Sequence, residues 1–146
     1  MQANWLSTIR RYLVALAIGN LLWETAQMPL YTLWRTGTPG VIAEAVLHCT
    51  LGDVLIGAVT LIAALAAVGS PAWPHETIVR VAVAVVIMAT GYTVYSEYMN
   101  VVRGSWTYTE WMPTLPLLGT GLGPLTQWVV VPVLALAWSC RGSDRL

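Results

Sequence analysis

The sequence contains no lysine and no phenylalanine, and only 10% of its 146 residues are charged. A soluble globular domain carries about 25% charged residues, so this composition does not fit a surface bathed in water on all sides. The basic residues are seven arginines scattered along the chain, and seven acids balance them. A chain without a basic cluster lacks the electrostatic footprint of a nucleic-acid-binding protein, and we expect no nucleic acid as a partner.

Cysteine is also scarce, with Cys49 and Cys140 in two different apolar segments. Counted from the membrane edge at about 1.5 Å per residue, the two lie at depths that differ by roughly 12 Å. A disulfide needs Cα atoms within about 7 Å of each other, so we interpret both cysteines as small packing residues.

What the chain has in abundance is apolar and aromatic surface. Hydrophobic residues make up 57% of the sequence, which includes eight tryptophans and six tyrosines. Four apolar segments, at residues 12–34, 41–68, 77–102 and 125–140, are separated by stretches rich in glycine, proline, charge or aromatic rings. Apolar segments of about 20 residues are typical of membrane-spanning helices. The sequence therefore predicts a single all-α membrane domain over residues 1–146, a four-helix bundle with a Pro/Gly- and Trp-rich outer loop before the last span.

The arginines predict the orientation of this bundle. With both termini in the cytoplasm, five arginines lie on the inner side (Arg10, Arg11, Arg80, Arg141 and Arg145) and two on the outer side (Arg35 and Arg103). Positive charge is enriched on the cytoplasmic side of membrane proteins. We therefore expect a bacterial inner-membrane protein with both ends inside.

Four ionisable side chains lie within the predicted spans: Glu24, His48, Asp53 and Glu97. Each costs a few kcal/mol or more to hold in hydrocarbon unless it is paired or faces a wet cavity. In the predicted orientation all four fall in the outer half of the membrane, where no arginine can neutralise them. The pattern predicts a polar pocket that opens toward the outer leaflet.

Burial and mutual repulsion favour keeping a proton on at least one of these carboxyls, and a protonated carboxyl beside imidazole suits acid–base chemistry. We expect Glu24 or Glu97 to act as the acid, with His48 and Asp53 as base and orienting partner. The predicted substrate is lipophilic, the reaction an isomerisation, cyclisation or hydrolysis. Seven residues at the same depth are expected to contact it: Trp23, Gln27, Tyr31, Tyr92, Tyr95, Asn100 and Gln127.

Other interpretations stay open. The polar stripes could instead join helices in a non-catalytic subunit or assembly factor, as a homo-oligomer or with a partner membrane protein. They could also form a proton or cation transport site. No cofactor is expected, although one histidine with several carboxylates could bind a divalent cation. Tyr31, Trp34, Trp106, Tyr108 and Trp111 are interpreted as anchors at the lipid–water interface.

The stretch Asn20-Leu21-Leu22-Trp23-Glu24 resembles the Trp-Glu motif of integral membrane terpene cyclases of the fungal meroterpenoid type. The resemblance covers these residues only, and that family has more spans than are predicted here. It implies a glutamate within the membrane, Glu24 in this chain, that protonates an epoxide.

Overall fold

A computed structural model describes residues 5–141, and its long elements are all helices. They are α1 (Trp5–Gln27), the short α2 (Leu33–Thr36), α3 (Pro39–Val68), α4 (Ile78–Arg103) and α5 (Leu122–Cys140). Within this range the only β pairing is two isolated bridges. The all-α prediction is confirmed. The long helices pack in a ring, in which α1 contacts α3 and α5, and α4 contacts the same two helices.

Local sequence explains where most helices begin and end. Thr38 caps α3 by accepting a hydrogen bond from the Val41 amide at 3.4 Å, and Pro39 occupies the first helical turn. Gly104 ends α4 in the left-handed conformation, with φ of 71°. These ends fall close to the segments that hydropathy predicts.

The first helix differs most from its prediction. It begins at Trp5 rather than near residue 12, and it ends at Gln27 rather than continuing to Trp34. Pro29 cannot donate the backbone hydrogen bond that would continue the helix, and residues Met28–Leu30 form a 3-10 turn instead. The chain then re-enters a helix only for the single turn of α2.

Three helices, α3, α4 and α5, are long and apolar enough to cross a membrane. Helices of this length and hydropathy are typical of an integral membrane protein. Helix α1 has 23 residues but is less apolar, because it carries Arg10, Arg11, Asn20 and Glu24. Arg145, which contributes to the predicted orientation, lies outside the described residues.

The bundle has a polar interior over half of its length, and its exterior carries exposed aliphatic side chains along both halves. Buried residues of α1 recur every three or four positions and include Asn20, Glu24 and Gln27. By contrast, Leu51 and Leu55 of α3 are 71% and 65% exposed, and Ile87 of α4 is 65% exposed. Exposed aliphatic faces of this extent require an apolar surrounding or a partner.

The other half of the bundle, called here the Trp73 end after the residue in the α3–α4 connection, has an apolar core. Tyr12, Leu16, Leu61 and Val85 are completely or almost completely buried there. The opposite half is called the Tyr108 end, after the 104–121 loop that lies on it. Cys49 and Cys140 do not form a disulfide with each other.

Gly57 of α3 is buried and packs directly against α1. A methyl group added at Gly57 would overlap the Leu16 Cδ2 atom, whereas one added at Gly91 of α4 would meet nothing within 4 Å. We expect Gly57→Ala to lower the free energy of unfolding by about 1–3 kcal/mol relative to Gly91→Ala, because overpacking in a close-packed core is costly. Both variants gain the same helix propensity.

Denaturation of the purified protein in detergent, followed by circular dichroism, measures this difference. Equal stability of the two variants would contradict the close α1–α3 packing.

Candidate functional site

The side-chain amide of Gln127 in α5 holds together three polar groups from two other helices. Its Nε2 atom lies 2.9 Å from the Asn20 Oδ1, 3.1 Å from the Glu24 Oε1 and 2.8 Å from the Asp53 Oδ2. All four side chains are buried. Gln27 adds a second donor to Glu24 at 2.9 Å. The site therefore joins α1, α3 and α5 through hydrogen bonds in the interior.

Glu24 and Asp53, called here the carboxyl pair, both accept from the Nε2 atom of Gln127. That amide has only two hydrogens for its three acceptors, so it cannot satisfy them all. Two carboxylates that share one donor in an apolar interior repel each other, and a proton kept on one of them relieves this repulsion. The geometry therefore favours a proton within the pair.

A third carboxyl, Glu97 of α4, is held by the 104–121 loop. The Tyr108 hydroxyl donates to the Glu97 Oε2, and the same hydroxyl accepts the Gly121 amide at 3.2 Å. The loop is fixed to the segment after α1 by the Thr109 amide, which donates to the Leu30 carbonyl at 2.9 Å. Tyr108 therefore connects the loop to the interior of the bundle.

These groups face one cavity of about 300 Å³ at the Tyr108 end. Glu24, Asp53 and Gln127 line its buried side, and Glu97 lies on the α4 side. Apolar and aromatic side chains complete the wall, among them Met28, Ile56, Trp106 and Trp128. None of the described residues that line the cavity is an arginine or a lysine. The cavity thus combines several carboxyls with an apolar wall and no basic counter-charge.

The structure brings all four residues of the predicted catalytic set to this cavity. Glu24, Asp53 and Glu97 are 7–9% exposed. His48 also lines the cavity, but it is exposed and lies at the mouth rather than beside the carboxyl pair.

The predicted substrate-binding set divides in two. Five of its residues line the cavity, namely Gln27, Tyr31, Tyr92, Asn100 and Gln127. The other two do not: Trp23 packs against the apolar core, and Tyr95 is 61% exposed on the outside of α4. Adjacent helical positions point in different directions, so Trp23 cannot share the inward face of Glu24.

Sequence reasoning did not identify Asn20 or the role of Tyr108. Asn20 precedes Glu24 by one helical turn on the same buried stripe, so extending that stripe backward would have found it. Tyr108 was interpreted as an interface anchor, whereas its hydroxyl bonds Glu97. A residue in an irregular loop has no periodic spacing that would reveal such a partner.

The arginine closest in sequence to Tyr31 is engaged elsewhere. Arg35 bonds Glu110 at 2.8 Å on the surface, and its guanidinium lies 4.8 Å from the centre of the Trp111 ring. Hydrogen bonding from Arg35 holds the pKa of Glu110 below its usual range. This pair leaves Arg35 unavailable to neutralise the cavity carboxyls.

Within residues 5–141 no group of three or more histidine, cysteine or acidic side chains is arranged to hold a metal ion. The absence of a cofactor stays a prediction. Comparisons with protein-family models, with curated proteins and with solved structures found no match to this chain.

We expect Tyr108→Phe to destabilise the 104–121 loop. The change removes the donor to buried Glu97 and the acceptor for the Gly121 amide, and leaving buried polar groups unpaired costs about 1–3 kcal/mol each. Amide hydrogen exchange in the loop should become faster, while exchange in α5 should not change. Tyr98→Phe is the matched control, since Tyr98 is 51% exposed on α4. Equal loop exchange in the two variants would show that the Tyr108 hydroxyl does not hold the loop.

Proposed function

We propose that this protein is an integral membrane enzyme that performs acid–base chemistry on a small lipophilic molecule. The observation that carries the proposal is the carboxyl pair. Glu24 and Asp53 meet in the interior on the amide of Gln127, at 3.1 and 2.8 Å, beside a cavity and without a basic partner. A pair of carboxyls whose mutual repulsion favours keeping a proton in an apolar surrounding is suited to give that proton to a substrate.

The surroundings of the cavity support a lipophilic substrate. Three helices are apolar enough to span a membrane, and their exposed faces carry mainly aliphatic and aromatic side chains. In the orientation predicted from the arginines, with both ends in the cytoplasm of a bacterium, the cavity lies in the outer half of the inner membrane. A molecule dissolved in lipid can reach that depth, whereas a strongly polar one would pay a large desolvation cost.

In this mechanism the carboxyl pair donates a proton to an alkene, epoxide or carbonyl, and a second group removes a proton from another atom of the substrate. Glu97, oriented by Tyr108, stands on a different helix and is our candidate for that base. His48, at the mouth, is the alternative. Aromatic rings of Tyr92, Trp106 and Trp128 line the cavity and can stabilise positive charge on the substrate. Isomerisation and cyclisation need only these two proton transfers, and hydrolysis also requires water.

A scaffold role is the second candidate, because the Gln127 network ties α1, α3 and α5 together. Polar contacts of this kind join helices in membrane proteins, and the exposed faces could pack against a second copy or a partner subunit. The presence of a cavity favours the enzymatic role over the scaffold role. If the network served only to join helices, we would expect the helices to pack closely around its polar groups and leave no space. Transport is less well supported, because the buried core of the Trp73 end consists mainly of apolar side chains.

Proton transfer to a substrate can be detected without knowing the substrate. The purified protein is reconstituted in liposomes with a neutral-lipid extract in heavy water, and lipids are followed by mass spectrometry. We expect a lipid that gains deuterium, changes retention at constant mass or adds water. Glu24→Gln should reduce this conversion about a hundredfold or more, the scale of one general acid, and should leave the melting temperature unchanged or raised, because a buried acid is removed.

Glu44→Gln is the matched control, since Glu44 is an exposed acid on α3 that does not line the cavity. It should convert the lipid at the wild-type rate. Conversion by Glu24→Gln at the wild-type rate, or no conversion by the wild type in any neutral-lipid fraction, would contradict the proposed function. Unfolding by Glu24→Gln with no separable loss of activity would favour the scaffold role.

A further inference from the structure

We infer that the cavity opens sideways into the lipid between α3 and α4, and that Gly52 sets the width of this opening. This inference rests on the proposed function in one respect, because it takes the lipophilic molecule that enters the cavity (called here the guest) to be the substrate. The opening itself is defined by four residues that line the cavity, called here the portal residues: His48 and Gly52 of α3, and Tyr92 and Ser96 of α4.

The residues that line the cavity are buried on one side and exposed on the other. The lining residues contributed by α1 and α5, such as Glu24 and Gln127, are buried. The portal residues His48, Gly52 and Tyr92 are exposed, and Ser96 is half-buried. The cavity is therefore closed toward α1 and α5 and open toward the seam between α3 and α4.

The two ends of the bundle do not provide another route. The apolar core of the Trp73 end joins residues of all four long helices. At the other end the 104–121 loop lies over the cavity, where Tyr108 packs edge-on against Tyr31 with ring centres 5.5 Å apart and Tyr31 packs in the same way against Trp106. The remaining open side faces the same surroundings as the aliphatic surfaces of α3 and α4.

Gly52 has the free space that a portal needs. A Cβ atom added at this position would meet nothing within 4 Å. His48 and Gly52 are one helical turn apart on α3, as Tyr92 and Ser96 are on α4, so each pair forms one edge of the opening. A large side chain at Gly52 would project into the opening rather than into the packed core.

The volume and the charge of the cavity also limit the class of molecule that can enter it. A volume of about 300 Å³ is at the lower end for ligand pockets, so it holds the reactive end of a lipid but not a long chain. Carboxyls without a basic side chain would repel an anionic head group. We infer a single-chain lipophile with an uncharged reactive end group, whose end reaches the carboxyl pair while its tail stays in the bilayer.

Carbodiimides test the route, because they react with protonated carboxyls and are available in lipid-soluble and water-soluble forms. The protein in liposomes is treated with dicyclohexylcarbodiimide or with a water-soluble carbodiimide, and labelling of Glu24 and Asp53 is followed by mass spectrometry. We expect the lipid-soluble reagent to label the wild type much faster than the water-soluble one. Gly52→Trp should slow this labelling about tenfold, equivalent to roughly 1.4 kcal/mol in the barrier.

Gly91→Trp is the matched control. Gly91 is also an exposed glycine whose added Cβ meets nothing, but it does not line the cavity, so labelling should stay at the wild-type rate. The inference would be overturned if Gly52→Trp were labelled as fast as the wild type, or if Gly91→Trp slowed labelling as much as Gly52→Trp does. It would also be overturned if the wild type were not labelled, or if the water-soluble reagent labelled it equally fast. Gly52→Leu replaces Gly52→Trp if the latter has a lowered melting temperature. The assay needs no turnover, so its failure is distinct from a failure of the proposed function.

Discussion

The burial of two acids without a basic partner is the constraint on which the rest of the structure depends. Glu24 and Asp53 are stabilised in the interior when amides solvate them and a proton is kept on one of them. Gln127 and Gln27 supply the donors, and they do so from the inward faces of α5 and α1. That requirement turns polar side chains inward at the Tyr108 end and leaves aliphatic side chains outside.

The same constraint connects the loop to the cavity. Glu97 is a third buried acid, and its donor comes not from a helix but from Tyr108 in the 104–121 loop. The loop is ordered on the bundle partly because it completes the solvation of this acid. Apolar side chains thus pack the helices together at the Trp73 end, whereas polar pairing at the Tyr108 end surrounds a cavity.

Much of the fold follows from hydropathy and from helix-ending residues, as the bounds of α3, α4 and α5 show. The first helix is predicted less well, since hydropathy extends the segment to residue 34 although the helix ends before Pro29. The position of ionisable residues inside apolar segments identified Glu24, Asp53 and Glu97, and membrane depth identified Gln27. Neither criterion could show that the Gln127 amide bonds both carboxyls or that Trp23 does not line the cavity, because both facts depend on how each helix is rotated about its axis. The contact of Tyr108 with Glu97 depends on the path of the loop.

Infrared spectroscopy of the protein in lipid tests the central claim most directly, since a protonated carboxyl has a carbonyl stretch distinct from that of a carboxylate. At neutral pH we expect this band in the wild type. It should be insensitive to changes in the aqueous phase and should be lost in the double variant Asp53→Asn, Glu24→Gln. A spectrum with only ionised carboxylates at neutral pH, or a band that the double substitution leaves unchanged, would show that the carboxyl pair keeps no proton.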